Sequence, residues 1–214
     1  MSLSRHLFRA VVGVALTAVA AASQAVVLVG LTSSNEIARI DTANLAGATR
    51  TSITGLAAGD RFVGIDSRPK DGLIYGITLS SQVYTVNATT GAASLVAALG
   101  TPGLINAALG YGIDFNPVAD FGTGASLRLV SSAGNNYAIN ASTGAVTVGT
   151  SIATGFTGVA YSNASFFPSA APASTSLYYI DSNADTLSVA TSAFNAPTEE
   201  AISALVARRR RSLV

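Results

Sequence analysis

The segment Gly64-Ile65-Asp66-Ser67-Arg68-Pro69 opens the stretch that decides the fold of this chain. Strand-like segments at residues 62–66, 73–78, 82–87 and 92–97 place apolar side chains at alternate or consecutive positions. Each segment is bounded by Gly, Pro, Asn, Asp or Ser, which is typical of short β-strands joined by turns. The stretch therefore predicts one complete unit of four strands.

Most of this order returns further along the chain. The segment Gly112-Ile113-Asp114-Phe115-Asn116-Pro117 repeats the first motif, and strand-like segments follow it at residues 127–131, 136–140 and 145–148. Asn87 and Gly91 form the turn before the fourth strand of the complete unit, and Asn140 and Gly144 recur at that point of the next. We expect each Asn to bond its own backbone and each Gly to take a positive φ.

Two less regular units flank this pair. Residues 26–41 match the second and third strands of the complete unit, so the first unit begins at its second strand. In the last unit, residues 158–163 supply a first strand, and residues 177–181 and 186–190 are interpreted as the third and fourth strands. In this interpretation Asp185 stands where the other units have the turn glycine.

Self-similarity at a period of about 40 to 50 residues is typical of stacked, identical units. We therefore predict an all-β fold, a β-propeller-like array of about four four-stranded units; a sandwich or open barrel of hairpins is the alternative. No first-strand pattern follows Ala190 to complete the first unit, which predicts an incomplete or open ring. The expected exposed edges are residues 26–31 and 186–190, where edge-to-edge self-association is expected.

The ends of the chain differ from its body. Residues 1–25 combine a basic start, an apolar run and small residues before Val26, which predicts a signal peptide and an exported protein, either periplasmic, secreted or at the cell surface. Residues 26–195 form the predicted β-repeat domain. Residues 196–214 form a tail with an arginine cluster, which is the only part expected to contact a membrane.

Composition excludes several classes of function. The chain has no Cys, and its single His is His6, within the predicted signal peptide. Catalytic sites that use His or Cys, zinc sites with those ligands and disulfides are therefore excluded from the mature chain. Acidic residues outnumber basic ones in the body of the chain between its two ends. The body therefore offers no basic surface for the phosphates of a nucleic acid, and nucleic-acid binding is not expected.

Asp66 and Asp114 occupy the same position in consecutive units and are the main candidate ligand-binding residues. Facing a common channel, they would bind calcium through oxygen atoms or act as a carboxylate pair, as in glycoside hydrolysis. The alternative is that each Asp bonds backbone amides of its own turn. No catalytic residue and no metal site is assigned, and calcium is the only cofactor considered.

Arg68 and Asn116 complete the candidate ligand-binding set. Arg68 would orient an anionic ligand, or else pair with a nearby carboxylate. Asn116 precedes Pro117 at the end of its motif, where Asn commonly forms turns.

The motifs at residues 31–41, 64–69, 114–117, 127–131 and 175–181, in this order, resemble the bacterial domain-of-unknown-function family 4394. The resemblance implies an exported, propeller-like β protein and no particular reaction. Two departures are an insertion at residues 121–125 and an end without the family's usual further repeats, which suggests truncation at the C-terminus.

Three hypotheses of function follow from the sequence. The first is an exported, non-enzymatic binding or structural module whose ligand or surface partner the residues do not name. The second is a hydrolase or lyase that acts on extracellular polysaccharide through Asp66 and Asp114. The third is a truncated, non-functional paralogue.

Overall fold

The computed structural model describes residues 25–190 and 197–198. Most of the predicted signal peptide and most of the predicted tail lie outside these residues. The described chain is all-β and forms four antiparallel sheets, each a meander of strands in chain order. Sheet 1 contains β1 (Val27–Leu31), β2 (Glu36–Asp41) and β3 (Asn44–Ser52); sheet 2 contains β4 (Phe62–Ser67), β5 (Ile74–Thr78), β6 (Gln82–Val86) and β7 (Ala93–Ala98). Sheet 3 contains β8 (Tyr111–Phe115), β9 (Leu127–Ser131), β10 (Asn136–Ile139) and β11 (Val146–Val148); sheet 4 contains β12 (Phe156–Tyr161), β13 (Leu177–Asp181), β14 (Thr186–Ala190) and β15 (Pro197–Thr198).

The first strands of sheets 2, 3 and 4 lie side by side, with β8 in contact with both β4 and β12. The glycine of the repeated motif makes this approach possible, because a Cβ on Gly112 would lie 2.8 Å from the Cα of Gly158 in β12. A Cβ on Gly64 would likewise lie 3.2 Å from the side chain of Ile113 in β8. The sheets are therefore arranged in sequence order around their first strands, and the described residues do not close a ring.

Apolar side chains fill the space between neighbouring sheets. The largest cluster joins sheets 2 and 3, a second joins sheets 3 and 4, and a third joins sheets 1 and 2. Complete burial of one such side chain contributes about 1.5–3 kcal/mol. Fully buried members of these clusters are Ile37, Ile77, Val83, Phe115, Leu127, Leu129, Val130, Ile139, Ala141, Leu177 and Tyr179.

The predicted turns are confirmed in sheets 2 and 3. Gly91 and Gly144 have φ values of 71° and 73°, so both take the left-handed conformation. The Oδ1 atom of Asn87 accepts hydrogen bonds from the N–H groups two and three residues ahead, at 2.8 and 3.0 Å. Asn140 makes the equivalent pair of bonds.

The strand assignment of the last unit was wrong. Residues 177–181 form the second strand of sheet 4 and residues 186–190 the third, because β13 pairs with both β12 and β14. Asp185 (φ 54°) occupies the turn between the second and third strands, as Ser81 (φ 58°) does in sheet 2. Both kinds of turn in this fold need a left-handed residue, so a residue suited to that conformation does not identify which turn it forms.

One of the two expected exposed edges is present. β1 pairs only with β2 among the described strands, and Val26, Val27 and Leu28 are about half exposed. The expectation was wrong for part of residues 186–190, because Val189 and Ala190 of β14 pair with β15. Self-association through the edge of β1 stays a prediction.

Replacing Thr78 with valine is expected to stabilise the chain by about 1–2 kcal/mol, because Thr78 is completely buried and its Oγ1 atom has no hydrogen-bond partner. Thr32 is the matched control, since it stands at the same point of sheet 1 and its Oγ1 atom accepts a bond from the N–H of Glu36 at 3.1 Å. Thermal unfolding should show a higher Tm for Thr78→Val and a lower one for Thr32→Val. A lower Tm for Thr78→Val would contradict the assignment of an unsatisfied hydroxyl.

Candidate carboxylate site

Asp66 and Asp114 lie near the ends of β4 and β8, the neighbouring first strands of sheets 2 and 3. Both line one pocket of about 150 Å³. The rest of its wall comes from Ser67 at the end of β4, from Pro69, from Phe115, and from the segment between β12 and β13, which contributes Phe166. The structure therefore brings together two carboxyl groups that the sequence separates by almost fifty residues.

Each carboxyl group binds the backbone of the next sheet. The Oδ2 atom of Asp66 accepts a hydrogen bond from the N–H of Phe115 at 2.8 Å, and that of Asp114 accepts one from the N–H of Tyr161 at 2.6 Å. The alternative in which each Asp bonds backbone amides of its own turn does not account for these contacts with the next sheet. β8 pairs with β9 along one edge only, so N–H groups on its other edge need a partner from a neighbouring sheet.

The repeat of this contact ends in sheet 4. Ala160 of β12 stands at the position of Asp66 and Asp114, so no carboxyl group continues the series there. In sheet 1 a different side chain makes a related contact, since Oδ1 of Asn35 accepts a bond from the N–H of Phe62 at 3.0 Å. Side-chain to backbone bonds thus connect each sheet to the next.

The two carboxyl groups titrate as a pair. Burial raises the pKa of Asp66 from 3.8 to about 6, although the N–H of Phe115 opposes the increase. Burial and the negative charge of Asp66 raise the pKa of Asp114 to about 8. The pair therefore holds one proton between its carboxyl groups at neutral pH, as expected for two like charges in one partly buried site.

The guanidinium of Arg68 forms ion pairs with two carboxylates. Its Nε atom donates to Oδ1 of Asp120 at 2.7 Å, and its Nη1 atom lies 3.6 Å from Oδ2 of Asp71. The guanidinium also lies 5.6 Å from the ring centre of Tyr75 and 5.7 Å from that of Phe115, within the range of cation–π contacts. These contacts fit the ion-pair alternative better than contact with an anionic ligand.

Asn116 belongs to a turn and does not line the Asp66–Asp114 pocket. Its Oδ1 atom accepts hydrogen bonds from the N–H groups of Val118 and Ala119 at 2.9 and 3.0 Å. A short 3-10 helix, Ala119–Phe121, follows. The occurrence of Asn116 in the repeated motif is thus explained by the turn that this residue forms.

Two residues that shape the candidate site, Asp120 and Phe166, were not predicted from the sequence. Asp120 is only 1% exposed and binds Arg68 across fifty-two residues, a separation that no local motif reveals. Phe166 lies in the segment of residues 164–175 that interrupts the repeat, and that interruption was the available signal. The segment reaches sheet 2, because the N–H of Phe167 donates to the carbonyl of Pro69 at 3.0 Å.

The sequence matches the family described as Domain of unknown function (DUF4394) over residues 36–208. The chain belongs to this family. The DUF4394 match includes the last two strands of sheet 1, all of sheets 2, 3 and 4, and both carboxylates of the candidate site. No curated protein matches the chain.

Two further observations on this DUF4394 chain concern metal ions and membranes. Within the described residues, no three acidic or histidine side chains come together in a group that holds a metal ion. In residues 25–190 and 197–198, no helix is long and apolar enough to cross a membrane. A calcium site at Asp66 and Asp114 would thus depend on two carboxylates and on backbone or water oxygens.

Proposed function

We propose that this chain is an exported, non-enzymatic, propeller-like binding module, and that the pocket between Asp66 and Asp114 is its ligand site. Export is supported by the basic, apolar and small-residue pattern of residues 1–25. The propeller-like arrangement is supported by the contacts of β8 with β4 and β12, since first strands surround the axis of a propeller. The observation that carries the proposal is the convergence of both carboxyl groups on one pocket.

The chemistry of the pocket favours a hydroxyl-rich ligand, such as one residue of a carbohydrate. The carboxyl pair offers hydrogen-bond acceptors and, through its shared proton, a donor. Phe166 lines the same pocket and is 62% exposed, so its ring can pack against the apolar face of a sugar. At about 150 Å³ the pocket is smaller than typical sites for drug-sized ligands, which favours a single sugar ring or the end of a glycan.

The site is held in place before a ligand arrives. One oxygen of each carboxyl group is bonded to backbone N–H, which fixes the direction of the other. The segment with Phe166 is bonded to sheet 2 through Pro69. Rigid polar groups reduce the entropy lost on binding, and this supports a recognition role.

A carboxylate-based hydrolase or lyase is the second candidate, and the shared proton favours it. A protonated Asp114 beside an ionised Asp66 would supply an acid and a base in one pocket. The two candidates differ in outcome, since an enzyme releases products from a bound glycan and a binding module leaves it intact.

Replacing Phe166 with alanine is expected to weaken glycan binding at least about tenfold, which corresponds to about 1.4 kcal/mol. The measurement is binding of the purified chain to an array of bacterial and plant oligosaccharides, followed by titration of the best glycan. Leu95→Ala is the matched control, because Leu95 is an exposed apolar residue of sheet 2 outside the pocket. Its affinity should stay within twofold of the unmodified chain.

Two results would overturn the binding proposal. One is an array without binding above background, and the other is equal affinity of the Phe166→Ala variant. Mass spectrometry of the titrated glycan separates the candidates, because shortened or unsaturated products would assign the pocket to an enzyme.

A further inference from the structure

A second pocket, of about 250 Å³, lies at the opposite ends of the first strands from Asp66 and Asp114. It is lined by the start of β4, by the turn between β1 and β2, and by the segment before β8. Three sheets therefore contribute to its wall. The lining includes Arg61 and no acidic residue.

The wall of this pocket is fixed by hydrogen bonds within the chain. Asn35 (φ 58°) joins the β1–β2 turn to β4 through the N–H of Phe62. On the opposite side, Gly110 exchanges two bonds with Ser132, through its N–H at 3.1 Å and its carbonyl at 2.9 Å. The hydroxyl of Tyr111 accepts a bond from the N–H of Asn106 at 2.7 Å. These bonds hold the wall of the pocket in one arrangement.

Arg61 differs from the other arginines near a cavity. Arg68 is paired with Asp120 at 2.7 Å, and Arg128 donates to the hydroxyl of Tyr161 and to Asn136. Among the described residues Arg61 has no carboxylate within ion-pair distance, and it is exposed. A guanidinium at the wall of a pocket without acids attracts anions and binds a carboxylate through two parallel bonds.

The carboxylate of the neighbouring residue Asp60 forms no ion pair with the guanidinium of Arg61. Oδ1 of Asp60 accepts bonds from the N–H groups of Arg61 and Ser80, at 2.9 and 3.1 Å. Its Oδ2 atom is buried and has no partner. Asp60 therefore holds the backbone behind Arg61 and leaves the guanidinium available to solvent.

Apolar side chains share the remaining wall with the polar residues Thr32, Ser33 and Asn35. Leu31, Val63, Leu79 and Leu109 line the pocket together with Phe62. This combination favours a ligand with a compact apolar body and one negative charge. The pocket volume is slightly below that of sites for drug-sized molecules, so the ligand must be small.

We infer that the pocket at Arg61 is a binding site for small organic carboxylates, with the guanidinium bound to the carboxylate and the leucine side chains around the apolar body. The site is separate from the Asp66–Asp114 pocket and shares no lining residue with it. It does not depend on the function proposed for that pocket.

Benzoate is a suitable probe, and benzyl alcohol is its uncharged counterpart. Titration of the ¹⁵N-labelled chain with each compound, followed by NMR, should show shifts at the β1–β2 turn, at Arg61 and at residues 107–111. Benzoate should bind at least tenfold more tightly than benzyl alcohol, and its affinity should fall as salt is added.

Arg61→Gln should weaken benzoate binding at least tenfold. Arg50→Gln is the matched control, because Arg50 is an exposed arginine outside the pocket, and its affinity should stay within twofold. Equal binding of the two probes, an unchanged affinity of Arg61→Gln, or the absence of shifts around the pocket would each overturn the assignment. Glycan binding at the other pocket should be the same in all three chains, so the two proposals fail independently.

Discussion

Replacing Asp120 with alanine is expected to lower the free energy of unfolding by about 2–4 kcal/mol, because it leaves the partly buried guanidinium of Arg68 without its closest counter-charge. Asp120 accepts hydrogen bonds from Nε of Arg68 at 2.7 Å, from the N–H of Lys70 at 3.0 Å and from Oγ of Ser126 at 2.9 Å. Urea and thermal unfolding of the purified chain measure the loss. For a chain of this size the Tm should fall by about 6–12 °C.

Asp41 provides a control for the loss of one carboxylate in a turn. It accepts a bond from the N–H of Ala43 at 2.8 Å at an exposed position, so Asp41→Ala should cost about 1 kcal/mol or less. Asp120→Asn keeps an oxygen acceptor and loses the charge, so its Tm should lie between those of Asp120→Ala and the unmodified chain. The asparagine variant also provides the measurement if the alanine variant does not fold. A Tm within about 2 °C of the unmodified chain in both Asp120 variants would contradict the assigned network.

Stability is expected to decrease as the pH rises from about 4 to about 8, and Asp114→Asn should remove most of this dependence. The pKa values of Asp66 and Asp114 in the folded chain, about 6 and about 8, exceed their ordinary value of 3.8. Across that window the folded chain binds more protons than the unfolded chain, so raising the pH favours unfolding until both groups are ionised. Each unit by which the pKa of a group in the folded chain differs from its value in the unfolded chain corresponds to about 1.4 kcal/mol of stability. For a chain of this size this equals about 3–5 °C in Tm.

The measurement is the Tm of each variant at pH 5 and at pH 8.5. Asparagine keeps an oxygen that accepts the N–H of Tyr161 and removes the repulsion from Asp66, so Asp114→Asn should melt higher than the unmodified chain at pH 8.5. Asp71→Asn, outside the pocket, should keep the full dependence. His6 is the only histidine of the chain, so histidine titration contributes little to the dependence of Tm on pH. A flat profile of the unmodified chain would refute the shared proton.

Much of the local structure was predictable from particular residues. Asn87 with Gly91, and Asn140 with Gly144, indicated turns whose hydrogen bonds and φ values the structure confirms. The strands of sheets 2 and 3 were predicted within one or two residues. The last unit was misassigned, since its long segment between β12 and β13 replaces a short connection and Asp185 suits either kind of turn.

The candidate site was predictable in part. The repeated motif singled out Asp66 and Asp114, but their partners are backbone N–H groups of the following sheet. Those N–H groups belong to every residue alike, so their availability depends on which edge of β8 or β12 is left unpaired. Asp120 and Phe166 reach their positions through connections that the repeat does not specify.

The sequence alone determined the all-β class, the four repeated units, the turn positions and the exclusion of sites built on cysteine or histidine. These features depend on alternation, turn residues and composition, which act over a few neighbouring residues. Only the tertiary structure decided that the two carboxyl groups share a pocket and a proton, that Arg68 is paired, and that Arg61 lies at the wall of a pocket without acids. These properties depend on distances between first strands and on burial, which sequence spacing does not contain.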